Sequence, residues 1–394
     1  MKSSRRYAAL CAITLSFFAG CGGGGGGDNV ATPAPGPAPA PTPGTLTTYG
    51  TTNLPGRLVV QATDGPSFAY DLRTGQGAPL PMSTLGPGNN DWYGNTSKNV
   101  LLRVLRQGID TTKTVEAVRT SDWSVLNEPL TVTGTSTRVK LSPSGKYLLT
   151  FWQPGNSSDE RELTIFEVAT GNLVKRGSAL NGRIVTGGPA AWLPDDRYVY
   201  LAGRKLYRSS PTQAADEEIA TLSALPDNSL SQNNIDVLST GTELNVSPDG
   251  TKIAFDWRTV RRNVTGDRNI WVVNTDGTGL RQLTAPVDPS SPLEYPYGNP
   301  TWSPDSQWVA GVLYMNGGVV APIFPPDQSF PGVPGGIIGS TGCGGNPVFV
   351  LPATAEKVAL SWPTHDVRYG LKVLNREGNG GLWVTACSTI QWVE

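Results

Sequence analysis

Short apolar runs bounded by turn residues recur along the chain from residue 57 onwards. Residues 138–176 show one full unit: RVKL alternates, SPSG is a turn, KYLLTFW is an apolar strand, ELTIFEV has period two, and LVKRG is a polar strand suited to a sheet edge. Proline fixes φ in the turn and glycine closes it. Four strands joined by short connections predict one antiparallel sheet.

This unit repeats with a period of about fifty residues, which indicates a repeat architecture. The first turn and its flanking strands recur at 92–104, 141–151, 192–202, 246–256, 302–312 and 360–373. The hairpin between the third and fourth strands recurs at 68–80, 115–126, 164–174, 205–213, 270–283, 348–358 and 382–393.

The repeat predicts an all-β fold, a β-propeller of four-stranded antiparallel blades, because closing such sheets into a ring removes their exposed edges. Seven hairpins favour seven blades. The N-terminal unit begins with its second strand, at 57–62, so its innermost strand must come from elsewhere, and 46–50 is the candidate. Six blades are the alternative, with the N-terminal strands completing the last blade. The regular turn argues against a β-sandwich.

The best-formed unit, 243–285, carries the features of a known repeat. It has Ser247-Pro248-Asp249-Gly250, then IAF, IWVVN and LRQLT. This unit resembles the TolB-type, WD40-like propeller repeat, which also occurs in the propeller domains of tricorn-like and prolyl-oligopeptidase-like peptidases. The resemblance covers about residues 57–394 and implies architecture rather than activity. The units at 92–131 and 357–393 lack Ser-Pro-Asp-Gly.

The N-terminus predicts export and lipidation. Residues 1–20 have a basic start and a short apolar run, as in a secretory signal peptide. Residues 18–21 resemble a bacterial lipobox with Cys21 as the lipid site, and ordinary secretion is the alternative. Residues 21–45 form a Gly/Pro-rich tether that cannot bury a core, and 46–394 form the propeller. No Asp follows Cys21, which favours the outer membrane, with the body in the periplasm or at the cell surface.

The charge balance and the residues available for catalysis or metal binding argue against several classes of function. The chain has 31 basic and 32 acidic residues and no basic stripe, so we expect no nucleic-acid partner. Its single histidine, His365, lies in a turn, and neither a nucleophile elbow nor a zinc-ligand cluster is evident. We expect no cofactor, although Asp195, Asp196, Asp249 and Asp276 leave calcium open. Turn chemistry explains the same residues.

Four features are candidates for binding or stabilisation. Trp152 and Trp257 end second strands and could approach a loop face. The insertion 314–347 is long and apolar, with Phe324 and Phe330 as candidate contacts, and it is either a cap over the ring or a partner-binding flap. Cys343 and Cys387 are a candidate disulfide in an oxidising compartment, with two separate thiols as the alternative.

Two functional hypotheses remain. The favoured one is a lipid-anchored extracytoplasmic propeller that contacts the membrane through its N-terminal lipid. It acts as a non-catalytic binding scaffold for a protein or cell-envelope component. The alternative is a carbohydrate-active propeller enzyme, a lyase or glycosidase, that uses acidic, Arg or Tyr residues around the central channel.

Overall fold

The fold is seen in a computed structural model. It describes residues 54–60, 67–74, 77–81, 90–105, 112–126, 128–133, 139–152, 162–176, 179–180, 183–184, 190–226, 243–258, 268–285, 297–313, 337–338, 348–359, 372–374, 381–384 and 390–394. Within this part of the chain every regular element is a β-strand, and no helix is long and apolar enough to cross a membrane.

The first half of the chain builds three blades and a small ribbon. Blade 1 receives β1 (Arg57–Val60), β2 (Phe68–Asp71) and β3 (Gly77–Pro79). Blade 2 consists of β4 (Asn90–Gly94), β5 (Val100–Leu105), β6 (Thr112–Arg119) and β7 (Leu130–Thr133). Blade 3 consists of β8 (Val139–Leu141), β9 (Tyr147–Trp152), β10 (Glu162–Glu167) and β11 (Leu173–Arg176). The ribbon consists of β12 (Ala179–Leu180) and β13 (Arg183–Ile184).

The second half builds three more blades. Blade 4 consists of β14 (Ala190–Trp192), β15 (Tyr198–Ala202), β16 (Lys205–Ser209) and β17 (Glu217–Thr221). Blade 5 consists of β18 (Leu244–Val246), β19 (Lys252–Arg258), β20 (Arg268–Asn274) and β21 (Arg281–Gln282), and β22 (Thr284–Ala285) follows it. The remaining strands are β23 (Tyr297–Trp302), β24 (Trp308–Leu313), β25 (Ile337–Ile338), β26 (Val348–Pro352), β27 (Val358–Ala359), β28 (Lys372–Leu374), β29 (Gly381–Val384) and β30 (Ile390–Val393).

Blade 6 departs from the four-stranded pattern. β23, β24 and β26 form its sheet, while β27 pairs in parallel with β22, next to blade 5. β28 and β29 form a separate hairpin, and β25 pairs with β29 in parallel. The predicted first-to-second strand pair at 360–373 therefore does not begin another blade: of that range only 372–373 is described, and it pairs with β29.

The ring closes with strands from both ends of the described chain. β30 pairs antiparallel with β1, from Arg57 opposite Val393 to Val60 opposite Ile390, and becomes the innermost strand of blade 1. The innermost strands β30, β4, β8, β14, β18 and β23 touch their neighbours in this cyclic order. The all-β propeller is confirmed, and the ring has six blades, the alternative number.

The prediction of seven blades was wrong because β30 looked like the partner of the preceding strand. The prediction that 46–50 supplies the innermost strand of blade 1 was wrong for the same reason, since β30 holds that place. All four side chains of β30 are buried, so its pairing with β1 covers two sheet edges and an apolar strand together.

The core is divided into six clusters, one between each pair of neighbouring blades. Alternation along a strand sends successive side chains to opposite neighbours. In β15, for example, Tyr198 and Tyr200 pack against blade 3, whereas Val199 and Leu201 pack against blade 5. The continuous apolar runs of the sequence are strands buried on both faces.

Candidate functional site

The turns between first and second strands share one hydrogen-bond design. In blade 5, Ser247 Oγ lies 2.5 Å from Asp249 Oδ1 and accepts the amide of Lys252 at 2.9 Å. In blade 6, Ser303 Oγ lies 2.5 Å from Asp305 Oδ1 and accepts the amide of Trp308 at 2.9 Å. These bonds fix the turn that the repeat predicted, and they occupy Asp249 in turn chemistry.

The fourth residue of each of these turns has a positive φ. The values are 63° for Lys98, 74° for Gly145, 61° for Asp196, 72° for Gly250 and 60° for Ser306. Left-handed backbone favours glycine, so the non-glycine residues here are held in place by their surroundings. Lys98 stands out because its side chain is long and only 3% of the residue is exposed.

Lys98 reaches from the turn of blade 2 to blade 6. Its Nζ donates to Thr301 Oγ1 at 3.3 Å, past blade 1, which lies between them. Within the described part of the chain no carboxylate oxygen lies within 4.0 Å of this Nζ, although an ammonium has three protons to donate. Burial, and secondly the positive charge of Lys140, lowers the pKa of Lys98 to about 7.

The side chain of Lys140 extends from blade 3 to blade 5. Its Nζ lies 2.9 Å from Glu243 Oε1, donates to Asn245 Oδ1 at 3.1 Å and donates to the Leu244 carbonyl. Blade 4 lies between, and Ala191 holds the position equivalent to Lys140, so its methyl group leaves room for the long side chain. This lysine is fully paired, unlike Lys98.

These two lysines line a cavity between the inner strands of blades 2 to 5. It holds about 10 Å³, enough for roughly one water molecule. Its lining is Gly94, Asn95, Thr96, Lys98, Lys140, Leu141, Ala191, Trp192, Asn245 and Val246. We call this cavity, with Lys98, Lys140, Glu243 and Thr301, the axial site.

The sequence analysis did not identify the axial site, although two signals were present. Lys98 stands where Gly145 and Gly250 stand in the regular turns, in a unit already noted for lacking Ser-Pro-Asp-Gly. Lys140 interrupts an inner strand that is otherwise apolar and wholly buried. A charged residue at a buried repeat position indicates a special role.

A second candidate surface lies between blades 2 and 3. A groove of about 260 Å³ is lined mainly by apolar side chains, among them Leu126, Leu130 and Val168. In the described residues the exposed large hydrophobic side chains are Val125, Leu126, Leu173 and Val174, and all four lie on these two blades. We call this surface the apolar groove. A concentration of exposed apolar side chains indicates an interaction surface.

Of the predicted site residues, the structure describes Trp257 in full and Trp152 in its backbone. Trp257 is 1% exposed, packs in the cluster between blades 4 and 5, and donates its Nε1 proton to the Pro226 carbonyl at 3.0 Å. It therefore has a packing role, and ligand binding by it stays a prediction. Trp152 ends β9 as predicted, with its side chain outside the described set. Cys21, Phe324, Phe330, His365, Cys343 and Cys387 lie outside the described residues.

The disulfide stays a prediction, and one feature of the topology bears on it. β25 and β29 are parallel and in register, with Ile338 opposite Val384. The chain leaves both strands at the same end of this sheet. Cys343 comes five residues after β25 and Cys387 three residues after β29.

Trp192 and Trp302 precede the turns of blades 4 and 6 and join neighbouring blades. Trp192 donates its indole proton to the Lys140 carbonyl of the preceding blade at 2.7 Å. Trp302 does the same to the Asn245 carbonyl at 3.0 Å. Both rings are fully buried. Each tryptophan fills the wedge between two blades and satisfies a backbone acceptor there.

Asp216 belongs to a buried polar cluster, and its side chain is 6% exposed. It lies 3.0 Å from Lys175 Nζ and accepts hydrogen bonds from Tyr200 and Ser209. Burial by itself would raise the pKa of Asp216, but these hydrogen bonds outweigh it and hold the pKa below its ordinary value. The cluster joins blade 3 to blade 4.

The acidic residues of the turns, the candidate metal ligands, are held by local contacts. Asp249 and Asp276 accept bonds from neighbouring turn residues, and Asp195 pairs with Arg197 at 2.7 Å. In the part of the chain that the structure describes, no group of three or more His, Cys, Asp or Glu side chains is placed to share one ion.

Comparisons with known proteins find partial similarity to several solved structures. No family model and no curated protein matches the chain. TolB from Acinetobacter baumannii is similar over 86% of this chain and 66% of its own, with 13% identity and a TM-score of 0.48. Oligogalacturonate lyase in complex with manganese is similar over 87% of this chain and 90% of its own, with 11% identity and a TM-score of 0.40. The β-propeller domain of the Trilobed protease from Pyrococcus furiosus is similar over 80% of this chain and 85% of its own, with 9% identity and a TM-score of 0.39.

Proposed function

We propose that this chain is a lipid-anchored extracytoplasmic propeller that acts as a non-catalytic scaffold and binds a partner protein through the apolar groove. The observation that carries the proposal is the clustering of exposed apolar side chains on blades 2 and 3. Monomeric proteins rarely leave such side chains together unless another molecule covers them.

The geometry of the groove favours an extended segment of another protein as its occupant. β11 is the outermost strand of its sheet and pairs only with β10 in the described structure, so its other edge offers backbone donors and acceptors. Leu173 and Val174 lie on this strand, and Leu126 and Leu130 line the groove. A Cβ placed on Gly171, just before β11, would lie 3.7 Å from Leu130 Cδ1, so the strand begins next to the groove. An added strand would gain main-chain bonds from the edge and apolar contacts from the groove.

The test is capture from solubilised envelope, followed by binding with the purified partner. We expect Leu126→Glu and Leu173→Glu to abolish binding, because each puts a charge in an apolar contact. Ala359→Glu, which also replaces an exposed apolar side chain but lies near blades 5 and 6, should bind like the unsubstituted chain. A partner that binds the Leu126 and Ala359 variants equally well would contradict the groove.

The anchor and the competing function are tested separately. Cys21→Ala should move the protein from the membrane fraction to the soluble fraction, and a variant that stays membrane-bound would overturn the lipid anchor. Turnover of an envelope or plant polysaccharide that Leu126→Glu leaves intact would replace the scaffold with the carbohydrate-active alternative. A blank panel with a groove-dependent protein partner supports the scaffold.

A further inference from the structure

The buried positive charge at the axial site exceeds the buried negative charge. Lys98 and Lys140 lie there with Glu243, and Lys140 lies 2.9 Å from that carboxylate. The Nζ of Lys98 has a single hydrogen bond among the described residues, of 3.3 Å to Thr301 Oγ1. Two other charged residues lie near this turn: the Glu394 amide donates to the Lys98 carbonyl at 3.1 Å, and Arg57 Nε donates to the main-chain oxygen of Glu394 at 2.9 Å. A buried ammonium without a counter-charge is costly.

Two neutral donors lie beside the same ammonium. Thr301 Oγ1 accepts bonds from Lys98 Nζ and from the Trp392 amide at 3.2 Å, so its hydroxyl proton remains to be donated. Gln391, on the blade 1 strand between Lys98 and Thr301, uses its Oε1 to accept the Gly94 amide at 2.9 Å. Its amide protons have no acceptor in the described part of the chain. Among the described residues, Thr301 therefore places a donor, and no negative charge, beside the Lys98 ammonium.

Space limits what the missing acceptor can be. The cavity lined by Lys98 and Lys140 holds about 10 Å³, which fits one water molecule or one monatomic anion. Phosphate, sulfate or a sugar carboxylate is too large. An anion in this cavity supplies the counter-charge that the Lys98 ammonium lacks, whereas a water molecule supplies only a neutral acceptor.

We propose that Lys98, with Lys140 and Thr301 beside it, forms a binding site for one halide-sized anion on the propeller axis. The site is independent of the apolar groove. Because Lys98 has a pKa lowered to about 7, the anion is held when this amine is protonated and released when it is neutral. Binding and protonation are therefore linked, each favouring the other.

Thermal unfolding in chloride and in gluconate, at equal ionic strength, tests the proposal. At pH 6 we expect chloride to raise the Tm of the unsubstituted chain by about 2 °C for each tenfold increase above its Kd. At pH 9 the gain should fall sharply, because neutral Lys98 no longer attracts the anion. Gluconate, too large for the cavity, should give no gain. Equal effects of the two salts would overturn the site.

Two lysine variants provide the matched pair. Lys98→Gly removes the ammonium at a position whose φ of 63° suits glycine, so we expect it to fold and to lose the chloride effect. Lys357→Gly also removes a lysine with a positive φ, of 49°, from an exposed position on blade 6, and should keep the effect. A chloride effect that persists in Lys98→Gly would place the anion elsewhere and contradict the proposal.

Crystals soaked in bromide give an independent measurement that needs no variant. We expect an anomalous peak within about 3.5 Å of Lys98 Nζ, the upper range of such charge-assisted contacts. Water alone at this position, with no anomalous signal, would overturn the proposal.

Discussion

Blade 5 and blade 2 turn the chain between their first two strands with the same backbone conformation, φ being 72° at Gly250 and 63° at Lys98. In blade 5 the turn carries Ser, Pro, Asp and Gly, and the hydrogen bonds of its side chains stay within the turn and the start of the next strand. In blade 2 it carries Asn, Thr, Ser and Lys, and the last of these projects to the axis. The same position of the repeat therefore keeps its backbone conformation in both blades, while its side chain makes a contact with another blade only in blade 2.

The residue before the turn differs in the same way. In blade 6 it is Trp302, whose ring fills the wedge between blades. In blade 2 it is Gly94, and Gln391 of blade 1 occupies the vacated volume, with its Oε1 only 2.8 Å from where a Cβ would lie. Blade 2 is therefore small and polar where the regular blades are large and apolar, and this difference creates the axial site.

Removing the regular tryptophans should have the largest effect. We expect Trp302→Ala to lower the free energy of unfolding by about 3–5 kcal/mol, because it leaves a large cavity and an unpaired Asn245 carbonyl. Trp302→Phe should cost about 1–2 kcal/mol, mainly for the lost hydrogen bond. Urea unfolding measures both. Similar losses for the two variants would show that packing contributes little.

Restoring glycine in blade 2 should change the pH dependence of stability. The folded pKa of Lys98 is about 7, below the unfolded value of 10.5, so the unfolded state binds more protons between these values. The free energy of unfolding therefore rises with pH from about 7 to 10, by about 3 kcal/mol from this group, and the cost is constant below pH 7.

Lys98→Gly removes this contribution. In gluconate buffer we expect the variant to be more stable than the unsubstituted chain at pH 6, and the difference to shrink towards pH 10. Unfolding curves at four pH values, with Lys357→Gly as the control for a lost exposed lysine, measure it. A constant difference at all pH values would contradict the lowered pKa.

The smallest effects should come from adding a methyl group to the regular turns. Gly145→Ala places its Cβ in open space and costs about 1 kcal/mol, because φ is 74°. Gly250→Ala has the same backbone penalty and brings its Cβ to 2.7 Å from Pro194 Cγ of blade 4, so we expect about 2 kcal/mol. Equal losses would show that the neighbouring turn yields without cost.

The fold was largely predictable because its signals are local. Alternation and the Ser-Pro turn predicted pairs such as β8 with β9 and β18 with β19. Blade number was not predictable by the same reasoning, since the pairing of β30 with β1 joins residues more than 300 positions apart. The burial of Asp216 likewise depends on Lys175 of another blade.

The sequence by itself determined the strands, the turns and the all-β class, because side-chain alternation and the φ preferences of proline and glycine act over a few residues. The tertiary structure decided that six blades close the ring and that Lys98 meets Thr301, a residue of the inner strand of blade 6, near the axis. Closure depends on which edges are left to pair, and the charge state of Lys98 depends on burial and on Lys140, neither of which is present until the ring has formed.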